Sequence, residues 1–264
     1  MKNPLTYRVR RAINWLRRQP AVKELRRRYP HVFQVAVDRF STREFVGLPL
    51  TLVFLVAAIN ILLLSELTES VMQAAWVVSV DKQFTAFLYS MRSERLSLFF
   101  YTITQLADQQ AALLVGGLAT IVLLYQKRYV ALLAFWLTLA GVGLSVRFGK
   151  TIISRARPVD VAYYAVEHFS FPSGHATTAI MLYGLLAYFA YGRYSWHPMF
   201  RTLIPWVAAI LILLIGFSRI YLGVHYLSDV LAGFLLGGLW LLVGISLTEV
   251  VMLRKERRAA RSKA

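Results

Sequence analysis

Residues 202–250 read TLIPWVAAILILLIGFSRIYLGVHYLSDVLAGFLLGGLWLLVGISLTEV, and they hold two long apolar runs, 202–218 and 226–250. Each is of the order of the ~20 residues that carry a helix across a hydrocarbon core of about 30 Å. Outward from this stretch, runs of the same kind recur at 46–65, 130–149 and 175–192. Another, near 109–125, has a shorter apolar part but extends back through Leu98 to Leu106. The pattern predicts an all-α, polytopic membrane protein of six transmembrane helices.

Charge then gives an orientation. The chain is 58% apolar and 16% charged, yet its net charge is +17. A soluble chain so basic would point to nucleic acid. Here 22 of the 30 Lys and Arg fall in residues 1–45, 126–129, 191–201 and 251–264, on one side of a six-span topology. The positive-inside rule puts that side, with both termini, in the cytoplasm of a plasma (inner) membrane, and no nucleic-acid partner is expected. The first run follows a long basic segment and is too long for a signal-peptide core, so it reads as a retained helix. There is no cysteine, which excludes disulfides, thiolate metal sites and thiol catalysis.

Three regions follow: a basic N-terminal segment 1–45, a membrane domain 46–250 and a basic tail 251–264. In the first, Val9, Ile13 and Leu16, then Val22, Leu25 and Tyr29 beyond Pro20, keep helical spacing with arginines between them. That pattern fits either an interfacial helix pair on anionic lipid or a basic tail that sets topology. Residues 66–95 are of mixed character, with Trp76–Val80 and Phe84–Tyr89 suited to resting on the membrane surface; no chemistry is assigned to them.

The topology gathers ionisable groups at the outer interface. The run ending at Lys150 leads to Arg155, Arg157 and Pro158, the next begins at Pro172-Ser173-Gly174-His175, and Arg219, His225 and Asp229 flank the last junction. Such groups at helix ends facing a bundle interior are functional candidates. Two arginines and a lysine suit a phosphate dianion, with Arg offering bidentate donors. Ser173 and Gly174 open a helix, whose N-terminal amides and dipole attract an anion. His225 and Asp229 are four apart and share a helix face, so the carboxylate can hold one ring nitrogen protonated and leave the other to attack phosphorus. His175 is then placed to protonate the leaving lipid oxygen.

At these residues the chain resembles the type 2 phosphatidic acid phosphatase (PAP2) family, which shares its active site with vanadium haloperoxidases. Its signature is met in order by Lys150, six residues, then Arg157-Pro158; by Pro172-Ser173-Gly174-His175; and by Ser218-Arg219, five residues, His225, three residues, Asp229. The resemblance implies a six-helix membrane lipid phosphatase with His225 as nucleophile, Asp229 as its orienting partner and His175 as acid. It implies that Lys150, Arg157, Ser173, Gly174 and Arg219 bind phosphate, that no metal or other cofactor is needed, and that a phosphohistidine forms. Expected substrates are undecaprenyl diphosphate, phosphatidylglycerol phosphate, phosphatidic acid or lipid A phosphates. A lipid phosphotransferase using the same intermediate, and a non-catalytic lipid binder, are the alternatives.

Smaller features carry their own expectations. Gly233 and Gly237 form a small-xxx-small pair for close helix packing. Gln105, Asp108, Gln109 and Gln110 either line a headgroup pocket or mark a helix entry. Arg155 reads either as an auxiliary phosphate contact or, the reading favoured, as a solvated loop charge, and Glu167 and His168 as headgroup neighbours of unfixed direction.

Overall fold

The computed structural model describes residues 45–194 and 196–262, with scattered positions between 15 and 29. The basic helix pair expected in 1–45 lies almost wholly outside the described residues. Among those described, eight helices and no strand occur: α1 Leu48–Gln73, α2 Ala75–Ser90, α3 Glu94–Gln105, α4 Gln109–Tyr125, α5 Tyr129–Ile153, α6 Gly174–Tyr194, α7 Pro198–Tyr221 and α8 Leu227–Arg261. The all-α expectation holds. Ala57–Thr248 forms one compact unit and contains the packing and the site described below; Met1–Val56 and Glu249–Ala264 form another, holding the two basic ends.

Four of the described helices are long and apolar enough to cross a membrane: α1, α5, α7 and α8. A fifth span exists if α3 and α4, bent by 46° at their junction, count as one. The sequence read 98–125 as a single element; instead the chain breaks at Leu106–Asp108, where Gln105, Asp108, Gln109 and Gln110 interrupt the apolar pattern. The expected span 175–192 is α6, which falls short of the apolar criterion. Its position in the bundle explains this. α6 packs against α7 and α5, and Ala176, Thr177, Ala179, Met181, Leu182, Leu185 and Phe189 are all buried. A helix surrounded by protein has no lipid-facing perimeter to keep apolar, so hydropathy underrates it.

Small residues let α8 approach α6. A Cβ on Gly233 would stand 2.7 Å from the Ser173 carbonyl oxygen, and one on Gly237 2.5 Å from that of Thr177. Backbone oxygens cannot step aside, so the packing role of the pair is borne out. Gly237→Ala is expected to lower stability by about 1–3 kcal/mol through forced separation of the helices. Thermal unfolding in detergent checks this against Gly117→Ala, which meets open space. Apolar packing holds the other side together: Phe135 and Val142 of α5 meet Met181, Leu182 and Leu185 of α6, with Ala112 and Leu123 of α4.

α2 has two faces. Trp76, Val80, Phe87 and Tyr89 are exposed, as the sequence expectation requires, while Val77, Asp81, Thr85 and Leu88 turn inward. The buried face anchors the helix to the bundle, and one of its buried residues is an acid.

Candidate active site

Chain reversal in the bundle brings the end of α5, the start of α6, the end of α7, the start of α8 and the α3–α4 break to one end. The long segment 154–173 covers that end. Arg92 fixes it by donating from Nη1 to the Val161 carbonyl at 2.6 Å and from Nη2 to that of Tyr221 at 2.7 Å. Tyr163 N–H adds a 2.9 Å bond to the Leu222 carbonyl. Gly223 permits this approach: its φ is +69°, and a Cβ there would meet the Val161 oxygen at 2.2 Å. Loops of this length in a compact domain are commonly functional.

His225 sits under this cover, 1% exposed. Its Nδ1 is 3.5 Å from Asp229 Oδ2, and its Nε2 is 3.2 Å from Arg157 Nη1. Arginine has only donors, so Nε2 is the lone-pair side and the proton of the neutral ring belongs on Nδ1, towards the carboxylate. The imidazole pKa is held well below its ordinary value by burial first, then by the charges of Arg219, Arg157 and Lys150. Burial and those charges favour the neutral ring.

Asp229 is fully buried and held from three directions. Arg155 Nη1 donates to Oδ1 at 2.7 Å, and Tyr226 N–H donates to Oδ2 at 2.9 Å. Its own carbonyl accepts from Ser173 N–H at 2.9 Å, tying the two helix starts together. That bond occupies one of the amides expected to attract an anion. The contribution left to Ser173 is its hydroxyl, which is buried without a hydrogen-bond partner.

The cations are differently committed. Arg157 donates from Nε to the His168 carbonyl at 2.9 Å, from Nη2 to that of Phe169 at 3.2 Å, and from Nη1 to that of Val224. Those bonds lock the guanidinium beside His225. Arg219 is 1% exposed and donates from Nη1 to Thr104 Oγ1 at 2.8 Å and to the Tyr164 hydroxyl, while its Nε has no partner. Lys150 is half-buried and interacts electrostatically with Arg157, Arg219 and Asp229. His175, opening α6, feels Arg219, His225, Lys150 and Arg157, and its Nε2 is 3.7 Å from Asp108 Oδ1. Eight residues singled out from the sequence therefore meet at one end of the bundle.

Three residues escaped the sequence reading. Asp81, 2% exposed, accepts from Arg155 Nη2 at 2.6 Å; Thr104 and Tyr164 hold Arg219. A polar residue in an unassigned segment was the signal for Asp81, and nothing local marked the other two. Arg155 is corrected outright: its side chain is 11% exposed, bridges Asp81 and Asp229, and lies 4.3 Å from the Tyr226 ring centroid. Those two carboxylates raise its pKa in spite of burial, which acts in the other direction. His168 contributes its carbonyl rather than its imidazole to the site.

Known proteins show the same arrangement of chain. Residues 129–252 match the PAP2 superfamily. Over 88 residues the chain is 39% identical to phosphatidylglycerophosphatase B of Bacillus subtilis (strain 168), a match covering 33% of this chain and 43% of that relative, less than half its length. Among solved structures, the transmembrane PAP2 type phosphatidylglycerolphosphate phosphatase from Bacillus subtilis superposes with a TM-score of 0.67 at 26% identity, over 74% of this chain and 96% of that one. Aquifex aeolicus LpxE superposes at 0.51 with 23% identity, over 63% of this chain and 93% of that one, a likeness of fold alone. The chain is a helical membrane protein that carries a PAP2 superfamily domain over residues 129–252.

Proposed function

We propose that this protein is a lipid phosphate phosphatase that works through a phosphohistidine on His225. The observation that carries this reading is the buried His225, with a carboxylate 3.5 Å behind Nδ1, Arg157 3.2 Å from Nε2, and Arg219 and Lys150 acting on the ring. A phosphate placed among those cations draws Arg157 Nη1 towards its own oxygens and uncovers the Nε2 lone pair. Nε2 attacks phosphorus as the bond to the lipid oxygen breaks, and His175 gives that oxygen its proton. Asp229 stabilises the positive charge on the ring. Water then attacks phosphorus, His175 takes the water proton, and the P–N bond breaks to release phosphate and neutral His225. Ser173 Oγ, Gly174 and the unpartnered Arg219 Nε supply further donors to the phosphate oxygens.

A cavity of about 770 Å³ supports a lipid substrate. It opens between α4 and α5, with Asp108, Gln109 and His175 at the site end and Leu139, Trp136 and Leu113 along its walls. From Arg147 to Trp136 the wall of α5 runs about 16 Å, room for much of an acyl or isoprenyl chain. The lipid enters sideways from the bilayer, with Asp108 and Gln109 at its headgroup. The names of the Bacillus subtilis relatives favour phosphatidylglycerol phosphate, with undecaprenyl diphosphate and phosphatidic acid next. A six-span reading with α6 as the enclosed span, taken with the distribution of basic residues, favours a site at the outer face of the inner membrane and both termini in the cytoplasm.

The test is phosphate release by the purified chain in detergent with EDTA present, against those lipids. Release from at least one is expected. Because His225 is kept neutral, its protonation should not limit kcat/KM near its ordinary pKa of about 6.5; the loss belongs at lower pH, once the substrate's own second ionisation near pH ~6 is allowed for. A protein-derived acid limb at about 6.5, or no release from any lipid by folded protein, overturns the reading.

A further inference from the structure

Asp81 touches none of the groups that would meet phosphate, yet both of its carboxylate oxygens are engaged. Its Oδ1 accepts from Ser228 N–H at 3.0 Å, and its Oδ2 accepts from the Ser228 hydroxyl and from Arg155 Nη2 at 2.6 Å. The other Nη of Arg155 is bound to Asp229 Oδ1 at 2.7 Å and to Ser228 Oγ at 2.7 Å. All four side chains are buried or nearly so. Hydrogen bonds run from Asp81 of α2 through Arg155 of the 154–173 segment to Asp229 at the start of α8, and His225 Nδ1, which has no hydrogen-bond partner, stands 3.5 Å beyond.

Charge counting gives this series a role. Paired with Arg155 alone, Asp229 would be neutralised, and a neutral pair has little attraction left for the cationic ring that forms when Nε2 bonds to phosphorus. Asp81 supplies a second negative charge, so the acids exceed the arginine by one and a net negative charge remains against His225. In a site shielded from water that charge acts at short range with little screening. We propose that Asp81, acting through Arg155, is a positioning residue that keeps Asp229 both oriented and negatively effective towards His225. This rests on the phosphohistidine reading of the site.

A purely structural role is also written in the contacts, because Asp81 meets Ser228 N–H at the first turn of α8, where amides lack intrahelical partners. A double-mutant cycle separates the two. Asp81→Asn keeps an acceptor for Ser228 but cancels the net charge; kcat should fall roughly 10- to 100-fold with KM little changed, the scale seen when an outer residue orienting a ligand is removed. Asp81→Asn/Arg155→Gln restores one net negative charge, and the glutamine amide can still donate to Asp229, so much of the lost kcat should return. Orthovanadate binding, followed by vanadium NMR on the full-length chain in detergent, reads the same site without turnover and should weaken and recover in parallel.

A double variant as slow as the single one or slower, or a single variant with wild-type kcat, overturns the inference while leaving the phosphatase reading intact. If Asp81→Asn does not fold, the double variant, which buries no unpaired charge, decides alone: near-wild-type kcat and vanadate binding support the inference, and loss of both overturns it. Wild-type protein that neither releases phosphate nor binds vanadate overturns the phosphatase reading and this inference with it.

Discussion

His225→Ala protein, folded and inserted, is expected to release phosphate from lipid at a rate lower by on the order of 10⁴-fold or more, the scale of removing a nucleophile. Nothing else in the cluster can replace it. Arg157 and Arg219 are committed to oxygen acceptors, and Ser173 Oγ has no hydrogen-bond partner. His175 is the other imidazole, but its Nε2 faces Asp108. Rapid-quench experiments with labelled substrate should trap an acid-labile, base-stable phosphoenzyme in wild type and none in the variant. Thermal unfolding is an essential companion measurement, because the ring is buried and its loss leaves a cavity. Retained phosphoenzyme in His225→Ala would move the nucleophile elsewhere.

His175→Ala should give the second-largest effect, and one that depends on the leaving group. A lipid alkoxide needs a proton as it departs, so the expected loss of phosphorylation rate is about 10²- to 10⁴-fold. A nitrophenyl phosphate leaves as a stable anion, and its phosphorylation burst should fall by less than about tenfold, because little general-acid assistance is needed. The burst, rather than steady turnover, must be compared, since His175 also serves the water step. The carboxylate nearest that ring is Asp108, whose Oδ1 stands 3.7 Å from Nε2. Equal losses for both leaving groups would assign His175 to phosphate binding instead.

Much of this site was legible in the sequence because its chemistry is tied to short spacings at helix ends. His225 and Asp229 are four apart, a spacing legible in the sequence, but α8 begins only at Leu227, so His225 precedes the helix rather than sharing its face, and Asp229 meets it from the first turn, Nδ1 to Oδ2 at 3.5 Å. Apolar runs interrupted by Lys150, His175 and Arg219 reveal where helices stop, and antiparallel succession then collects those ends. Gly233 and Gly237 were legible for the same reason, since a spacing of four leaves a bare strip on one helix. Burial inside the bundle was not. The run 175–192 reads as a span, with nothing in it to say that its residues would be enclosed by α5 and α7, and the polar α3–α4 junction is a 46° bend rather than a continuous span.

The sequence by itself determined an all-helical membrane chain, a family signature and the residues at one end of its helices, because hydropathy and local spacing depend only on near neighbours in the chain. Only the tertiary structure decided that Arg155 is bound rather than solvated, that Asp81 stands behind Asp229, and that Thr104 and Tyr164 hold Arg219. Asp81 and Arg155 are 74 residues apart, and Thr104 and Arg219 are 115 apart. Hydrogen bonds act over about 3 Å, so partners that distant in sequence become visible only when packing has brought them together.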